Sequence, residues 1–254
     1  MIARLPALEL VACSSAGYET VDVDALRARG LRMTNASEAL LDDVADTAML
    51  LLLASRRSLI AAHRHVETGD WGRLGDFPLQ RAIRGKRLGI VVMGQIGRHL
   101  IGRARAFGLD LAYHNRTRRP EVDVPFVPDL LALATWADIL LVIVAGGAGT
   151  RGLIDAPILR ALGPEGTLVN VSRGSVIDEA ALIVALRDGS LGAAALDVFQ
   201  NEPTPDPALT RLPNVTLLPH VGSATVETRA AMAQIVLDNL AAHFAGGLLR
   251  SVVL

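Results

Sequence analysis

From about residue 87 onward the chain alternates short runs rich in Val, Ile and Leu with longer helical patterns. No other feature narrows the fold as much, because continuous apolar strands separated by helices are what a parallel sheet covered on both faces requires. The spacing predicts strands near 88–92, 109–113, 139–144, 167–171, 193–198 and 215–218, and helices near 95–107, 129–136, 155–162 and 178–188. Gly108, Gly163 and Gly189 fall where helix C-termini favour a residue without a Cβ. The expected fold is α/β, a doubly wound parallel sheet.

Two long helical patterns flank this region, Asp42–Gly69 ahead of it and Ser223–Gly247 behind it. Only two candidate strands precede them, Leu8–Ser15 and Leu31–Ala36, joined by a short helix around Val23–Arg29. Two parallel strands leave an edge and an apolar face uncovered, so this front part is expected to be an incomplete sheet domain. The division that follows is a sheet domain at 46–221 and a partial second domain made of 1–45 with 222–254.

A chain of 254 residues that is 51% hydrophobic can bury a substantial core. Its net charge of −1 provides no long-range field to recruit nucleic acid or an anionic membrane. The most apolar run, Ala48–Ala54, is too short to span a bilayer, and an acidic residue interrupts the apolar N-terminus, unlike a signal peptide. A single cysteine, Cys13, excludes an internal disulfide, argues against a cysteine-based metal centre and agrees with a reducing cytoplasm. A cytoplasmic protein with no nucleic-acid or membrane partner and no metal is expected.

The stretch Leu88 to Leu100, LGIVVMGQIGRHL, reads as a strand turning into a helix around a phosphate. Gly94 would let phosphates approach the backbone, Gly97 would let strand and helix pack closely, and the helix N-terminus would attract the anion. Val92 stands where a dinucleotide fingerprint places its first glycine. An ordinary strand-turn-helix junction also favours glycine, so context decides. The next strand ends in His114-Asn115-Arg116-Thr117-Arg118-Arg119-Pro120, with Asn115 about twenty residues past the glycines, where an NAD-selective site places an acid on the ribose. An amide followed by Arg116, Thr117 and Arg118 would not repel a 2′-phosphate and could clamp it, so NADP(H) is expected over NAD(H). The other reading of this segment is a solvated basic turn.

Three later strands run into Ser172-Arg173-Gly174, Gln200-Asn201-Glu202-Pro203 and His220-Val221-Gly222. An arginine, a carboxylate and a histidine thus follow the carboxyl ends of successive strands, where open parallel sheets gather their ligand chemistry. Such a set suits a 2-oxo acid. Arginine grips a carboxylate with two parallel hydrogen bonds, histidine gives a proton to a forming alkoxide, and a neighbouring glutamate favours the protonated imidazole. Singly, each residue also fits an ion pair or turn; their joint placement favours catalysis.

The stretches SSAGYETVDVDAL, DDVADTAMLLLLA, GKRLGIVVMGQIGR, LVNVSRGSVIDEAAL, AALDVFQNEP and LPHVGSAT together resemble the D-isomer-specific 2-hydroxyacid dehydrogenase family over essentially the whole chain. The segments YHNRTRRP, VAGGAGTRGLID and PHVGSATVETR look most like its bacterial NADP-linked glyoxylate and hydroxypyruvate reductases. The resemblance implies a Rossmann cofactor domain beside a flavodoxin-like substrate domain. It implies that Arg173 binds and orients the substrate, that Glu202 pairs with His220, and that His220 is the acid-base catalyst. It places the cofactor against Val92, Gly94, Gln95, Ile96, Gly97, Asn115, Arg116, Thr117, Arg118, Ala145, Gly146, Val171, Ser172, Asp197, His220 and Gly222, with Asp197 near the nicotinamide carboxamide. It makes the backbone of Ser15, Ala16 and Gly17 a second grip on the substrate carboxylate. It also implies a homodimer, with contacts from about Ser55 to Phe77.

Two departures from that pattern bear on activity. Valine at 92 is expected to be extended, where a β-branched residue sits at little cost, and to weaken cofactor binding without abolishing it. The resemblance also begins well inside the substrate-binding domain, so the front of that domain is expected to be missing. The expected activity is hydride transfer from NADPH to glyoxylate or hydroxypyruvate. The alternatives are a weak or inactive dinucleotide-binding paralogue and an NAD-dependent enzyme of other substrate preference.

Overall fold

In the computed structural model, which describes residues 2–254, the chain divides into two units. One is Met1–Asp43 with Ser223–Leu254, the other Val44–Gly222.

The smaller unit opens with β1 (Leu10–Ala12), α1 (Val23–Ala28) and β2 (Arg32–Thr34), the two strands pairing in parallel with Leu10 opposite Arg32. The Asp22 side chain accepts from the Ala25 amide and so starts α1. The end of the chain covers the β2 side of this pair. The Met33 amide donates to the Leu254 carbonyl at 3.1 Å, the Val253 amide donates to Met33 O at 2.8 Å, and the Asn35 amide donates to Ser251 O at 3.1 Å. Residues 251–254 therefore satisfy backbone groups along β2 that a bare edge would leave unpaired.

The pattern read as one helix over Asp42–Gly69 is two, α2 (Leu41–Arg56) and α3 (Leu59–Glu67), and a short α4 (Asp70–Leu74) follows. Ser58 separates the first two in a left-handed conformation, φ 46°, which interrupts the helical hydrogen-bond ladder without glycine or proline. The larger unit continues with β3 (Arg87–Val91), α5 (Gln95–Ala106), β4 (Asp110–His114), α6 (Leu130–Trp136), β5 (Ile139–Val142), α7 (Ala156–Leu162), β6 (Thr167–Asn170), α8 (Glu179–Asp188), β7 (Ala193–Leu196), α9 (Pro207–Thr210) and β8 (Val215–Leu217). Helix α10 (Val226–Phe244) returns to the smaller unit.

All six strands of the large sheet are parallel, in the order β4-β3-β5-β6-β7-β8. Every residue of β5 and β6 is buried, as strands covered on both faces must be. Asp129, Asp155 and Asp178 each accept a backbone amide at the start of α6, α7 and α8, so three helices begin on the same capping chemistry. After β4 the chain crosses back over β3 to β5, and this reversal opens a crevice at the carboxyl ends of β3 and β5. Among the described residues, no helix is long and apolar enough to cross a membrane.

Candidate active site

Arg173 is positioned by the turn that ends β6. Asn170 is fully buried; its Oδ1 accepts from the Ser172 amide at 3.0 Å and hydroxyl at 2.7 Å, and its Nδ2 donates to Arg173 O at 3.1 Å. This side chain substitutes for a strand partner and turns the backbone outward. The next residue must be glycine: a methyl group on Gly174 would lie 1.9 Å from the Phe199 carbonyl carbon and 2.4 Å from the Gln200 nitrogen. The Arg173 turn is thereby pressed against the segment that leads to Glu202. Arg173 Nη1 donates to Ser172 O at 2.7 Å.

Beyond β7, the Glu202 carboxylate has both oxygens engaged. Oε1 accepts the Phe199 amide at 2.9 Å and Oε2 lies 2.6 Å from His220 Nδ1. A carboxylate only accepts, so Nδ1 carries the proton and Nε2 is left for substrate. Glu179 stiffens the same loop from behind, its Oε2 accepting the Gln200 amide at 3.1 Å.

His220 follows β8 and is itself left-handed, φ 55°, a conformation that surrounding contacts must impose on a non-glycine residue. Asp197 supplies them. Its carbonyl accepts the His220 amide at 2.8 Å, and its two carboxylate oxygens accept the Val221 and Gly222 amides, each at 2.8 Å. Asp197 is 2% exposed, and burial pushes its carboxyl above the usual aspartate value against the opposing pull of those two amides. A cavity of about 460 Å³ walled by Phe199, Pro203, Pro205, Leu217 and Pro219 opens beside the His220–Glu202 pair.

The loop after β3 departs from expectation at Val92. Its φ is +72°, not extended, which for a β-branched residue costs about 1–3 kcal/mol. The Val92 amide donates to His114 O at 2.9 Å, extending the β3–β4 ladder by one residue, and the Gly94 amide donates back to Val92 O at 3.1 Å. The chain must then reverse sharply to enter α5, and that reversal sets φ at Val92. Asn115 turns inward: its Oδ1 accepts the Met93 amide at 2.7 Å and its Nδ2 lies 3.5 Å from Met93 O.

The residues around this loop fit a dinucleotide. A methyl group on Gly94 would meet no atom within 4 Å, and no side chain caps α5. The N-cap glycine thus offers the first-turn amides no side-chain acceptor. Gln95, Ile96 and Gly97 form that first turn. Arg116, Thr117 and Arg118 are exposed just past β4, Ala145 and Gly146 follow β5, and Val171 and Ser172 are buried just past β6. Ser15, Ala16 and Gly17 belong to the smaller unit, where Asn35 Nδ2 donates to Ala16 O at 3.0 Å.

A family model described as D-isomer specific 2-hydroxyacid dehydrogenase, NAD binding domain, matches residues 49–222. The chain belongs to this family. It is 44% identical to a 2-ketogluconate reductase of Gluconobacter oxydans, the match covering 94% of the chain and 77% of that relative. It is likewise 44% identical to a glyoxylate/hydroxypyruvate reductase of Arabidopsis thaliana, over 100% of the chain and 81% of the relative. Its fold superposes with a TM-score of 0.94 on an NADPH-dependent glyoxylate/hydroxypyruvate reductase of Sinorhizobium meliloti in complex with NADP and malonate, at 46% identity, covering 98% of this chain and 78% of that one.

In this 2-hydroxyacid dehydrogenase, sequence reasoning missed the supports of the site. Asn170 and Glu179 carry no substrate chemistry, and their roles depend on pairings set by the sheet. Gly174 was legible as part of a Ser-Arg-Gly motif, but its close approach to Phe199 was not.

Proposed function

We propose that this chain reduces a small 2-oxo acid, glyoxylate or hydroxypyruvate, to the D-2-hydroxy acid with NADPH. The observation that carries this reading is the 2.6 Å pairing of His220 Nδ1 with Glu202 on strand ends pressed against the Arg173 turn. When bound, the cofactor supplies the hydride that the keto carbon accepts. Arg173 pairs with the substrate carboxylate and draws electron density from the adjacent carbonyl. His220 holds a proton on Nε2 and delivers it to the oxygen as negative charge develops there, while Glu202 stabilises the imidazolium that donates it. Asp197 keeps the histidine backbone in place through the Val221 and Gly222 amides. Gly94 and the amides opening α5 would hold the pyrophosphate, and Arg116, Thr117 and Arg118 would hold the 2′-phosphate.

We also propose that the chain works as a homodimer, in a reducing compartment that keeps Cys13 a thiol. Leu59, Ile60, Val66, Trp71 and Leu74 are each at least half exposed within the segment 55–77, a density of apolar surface that favours association. Light scattering then gives twice the chain mass; the monomer mass contradicts the dimer. Reduction is tested with glyoxylate, hydroxypyruvate, 2-ketogluconate and 4-hydroxyphenylpyruvate under NADPH, with chiral analysis of the hydroxypyruvate product. D-Glycerate supports the reading, and L-glycerate or no product contradicts it.

A further inference from the structure

We propose that Asn115 replaces the missing first glycine of the dinucleotide loop, its side chain holding the β3–α5 turn in the left-handed conformation that Val92 would otherwise leave. Asn115 is then a positioning residue for the cofactor phosphates and not a ligand of the ribose. The inference rests on the cofactor-binding reading above.

Val92 has a φ of +72°, a region that glycine occupies freely and valine resists. Something must hold it there. The backbone contributes two bonds, Val92 N to His114 O at 2.9 Å and Gly94 N to Val92 O at 3.1 Å. The second closes a three-residue turn around Met93, but neither bond gives the Met93 amide an acceptor, and that amide would be free to swing if Val92 relaxed. Asn115 closes that freedom: its carbonyl oxygen accepts the Met93 amide at 2.7 Å, and its amide nitrogen faces Met93 O at 3.5 Å. Both residues are buried, Asn115 at 6% and Met93 at 2% exposure, so water does not compete for these groups. An amide suits both partners because it presents an acceptor and a donor side by side; a carboxylate would repel Met93 O.

A side chain committed to Met93 is turned away from the ribose. The distinction between NADPH and NADH therefore falls to the exposed Arg116, Thr117 and Arg118, and Asn115 serves both cofactors alike.

The test is a double-mutant cycle on the full chain with Asn115→Ala, Val92→Gly and the pair, reading KM and kcat with NADPH and with NADH. Asn115→Ala raises both KM values about tenfold, the loss of a buried hydrogen-bonded pair, with kcat and the NADPH/NADH preference unchanged. In the Val92→Gly background the same substitution costs less than about threefold, because glycine needs no latch. A loss confined to NADPH, an equal loss in both backgrounds, or no loss overturns the proposal. Amide hydrogen exchange at Gly94, whose amide donates to Val92 O and so reports the turn itself, is the second readout in the cofactor-free chain. It quickens in Asn115→Ala but not when Gly is also at 92; unchanged exchange refutes the latch. If the wild-type chain binds neither cofactor, the cofactor reading fails, while the exchange result still decides the role of Asn115.

Discussion

Glu202 joins two loops through opposite oxygens, one accepting the Phe199 amide at 2.9 Å and the other meeting His220 Nδ1 at 2.6 Å. The carboxylate thus both fixes the imidazole ring and carries the charge that balances it. Replacement by glutamine keeps a hydrogen-bonding side chain of the same size and removes the charge. Glu202→Gln is therefore expected to lower kcat for reduction about ten- to hundredfold while leaving the KM for NADPH unchanged. Steady-state kinetics check this, and an unaltered kcat would show the carboxylate to be idle.

Gly174 tests whether the Arg173 and Glu202 turns act as one unit. A methyl group there would sit 1.9 Å from the Phe199 carbonyl carbon and 2.0 Å from its oxygen, both backbone atoms with no freedom to rotate aside. Gly174→Ala should cost at least about 1–3 kcal/mol in stability and displace Glu202 from His220. A fall in Tm accompanied by loss of turnover is expected in thermal melts and rate assays. A variant with wild-type Tm and rate would mean that the two turns move independently.

Cofactor selectivity is expected to reside in the basic turn after β4. Removing a charged donor from a phosphate costs about 1.5–3 kcal/mol, so Arg116→Ala and Arg118→Ala together should raise the KM for NADPH about ten- to hundredfold. The KM for NADH should stay within about twofold, since NADH has no 2′-phosphate to lose. Equal changes for both cofactors would place these arginines on some other part of the dinucleotide.

The ion pair at the start of β3 gives a pH-dependent stability. Burial raises the Asp138 carboxyl, but the Arg87 side chain and amide outweigh it and hold it below the usual aspartate range. Asp138 Oδ2 accepts the Arg87 amide at 2.9 Å and its Nε at 3.2 Å. With the folded value below the unfolded one, this stability is present above about pH 4 and is lost as the pH falls through the folded value. Asp138→Asn should cost about 1 kcal/mol at pH 7, and the gap from wild type should close in acid. Denaturation at a series of pH values checks both; a gap that persists in acid would exclude the charge as its source.

The large sheet was legible because its strands are continuous apolar runs and its helices end at glycines such as Gly163 and Gly189, both with positive φ. The same local reasoning singled out Arg173, Glu202 and His220, since each follows the carboxyl end of a strand, and the structure pairs Glu202 with His220. It failed where the decisive contact is distant in sequence. The stretch around Ser58 contains neither glycine nor proline, so nothing local announced the helix break at φ 46°. The pairing of Met33 with Val253 and Leu254 joins opposite ends of the chain. The conformation of Val92 is set by the bond to His114, the turn into α5 and the Asn115 side chain on Met93, and its own side chain argued for the opposite.

The central claim is that His220, oriented by Glu202, delivers the proton in an NADPH-dependent reduction. It is tested most directly by measuring NADPH binding by fluorescence and NADPH oxidation at saturating hydroxypyruvate on the same samples of wild type and His220→Gln. The account predicts that both proteins bind NADPH comparably, that the wild type oxidises it, and that the variant is slower by about 10²–10⁴-fold. Binding without oxidation by the wild type, or an undiminished rate in the variant, would contradict it.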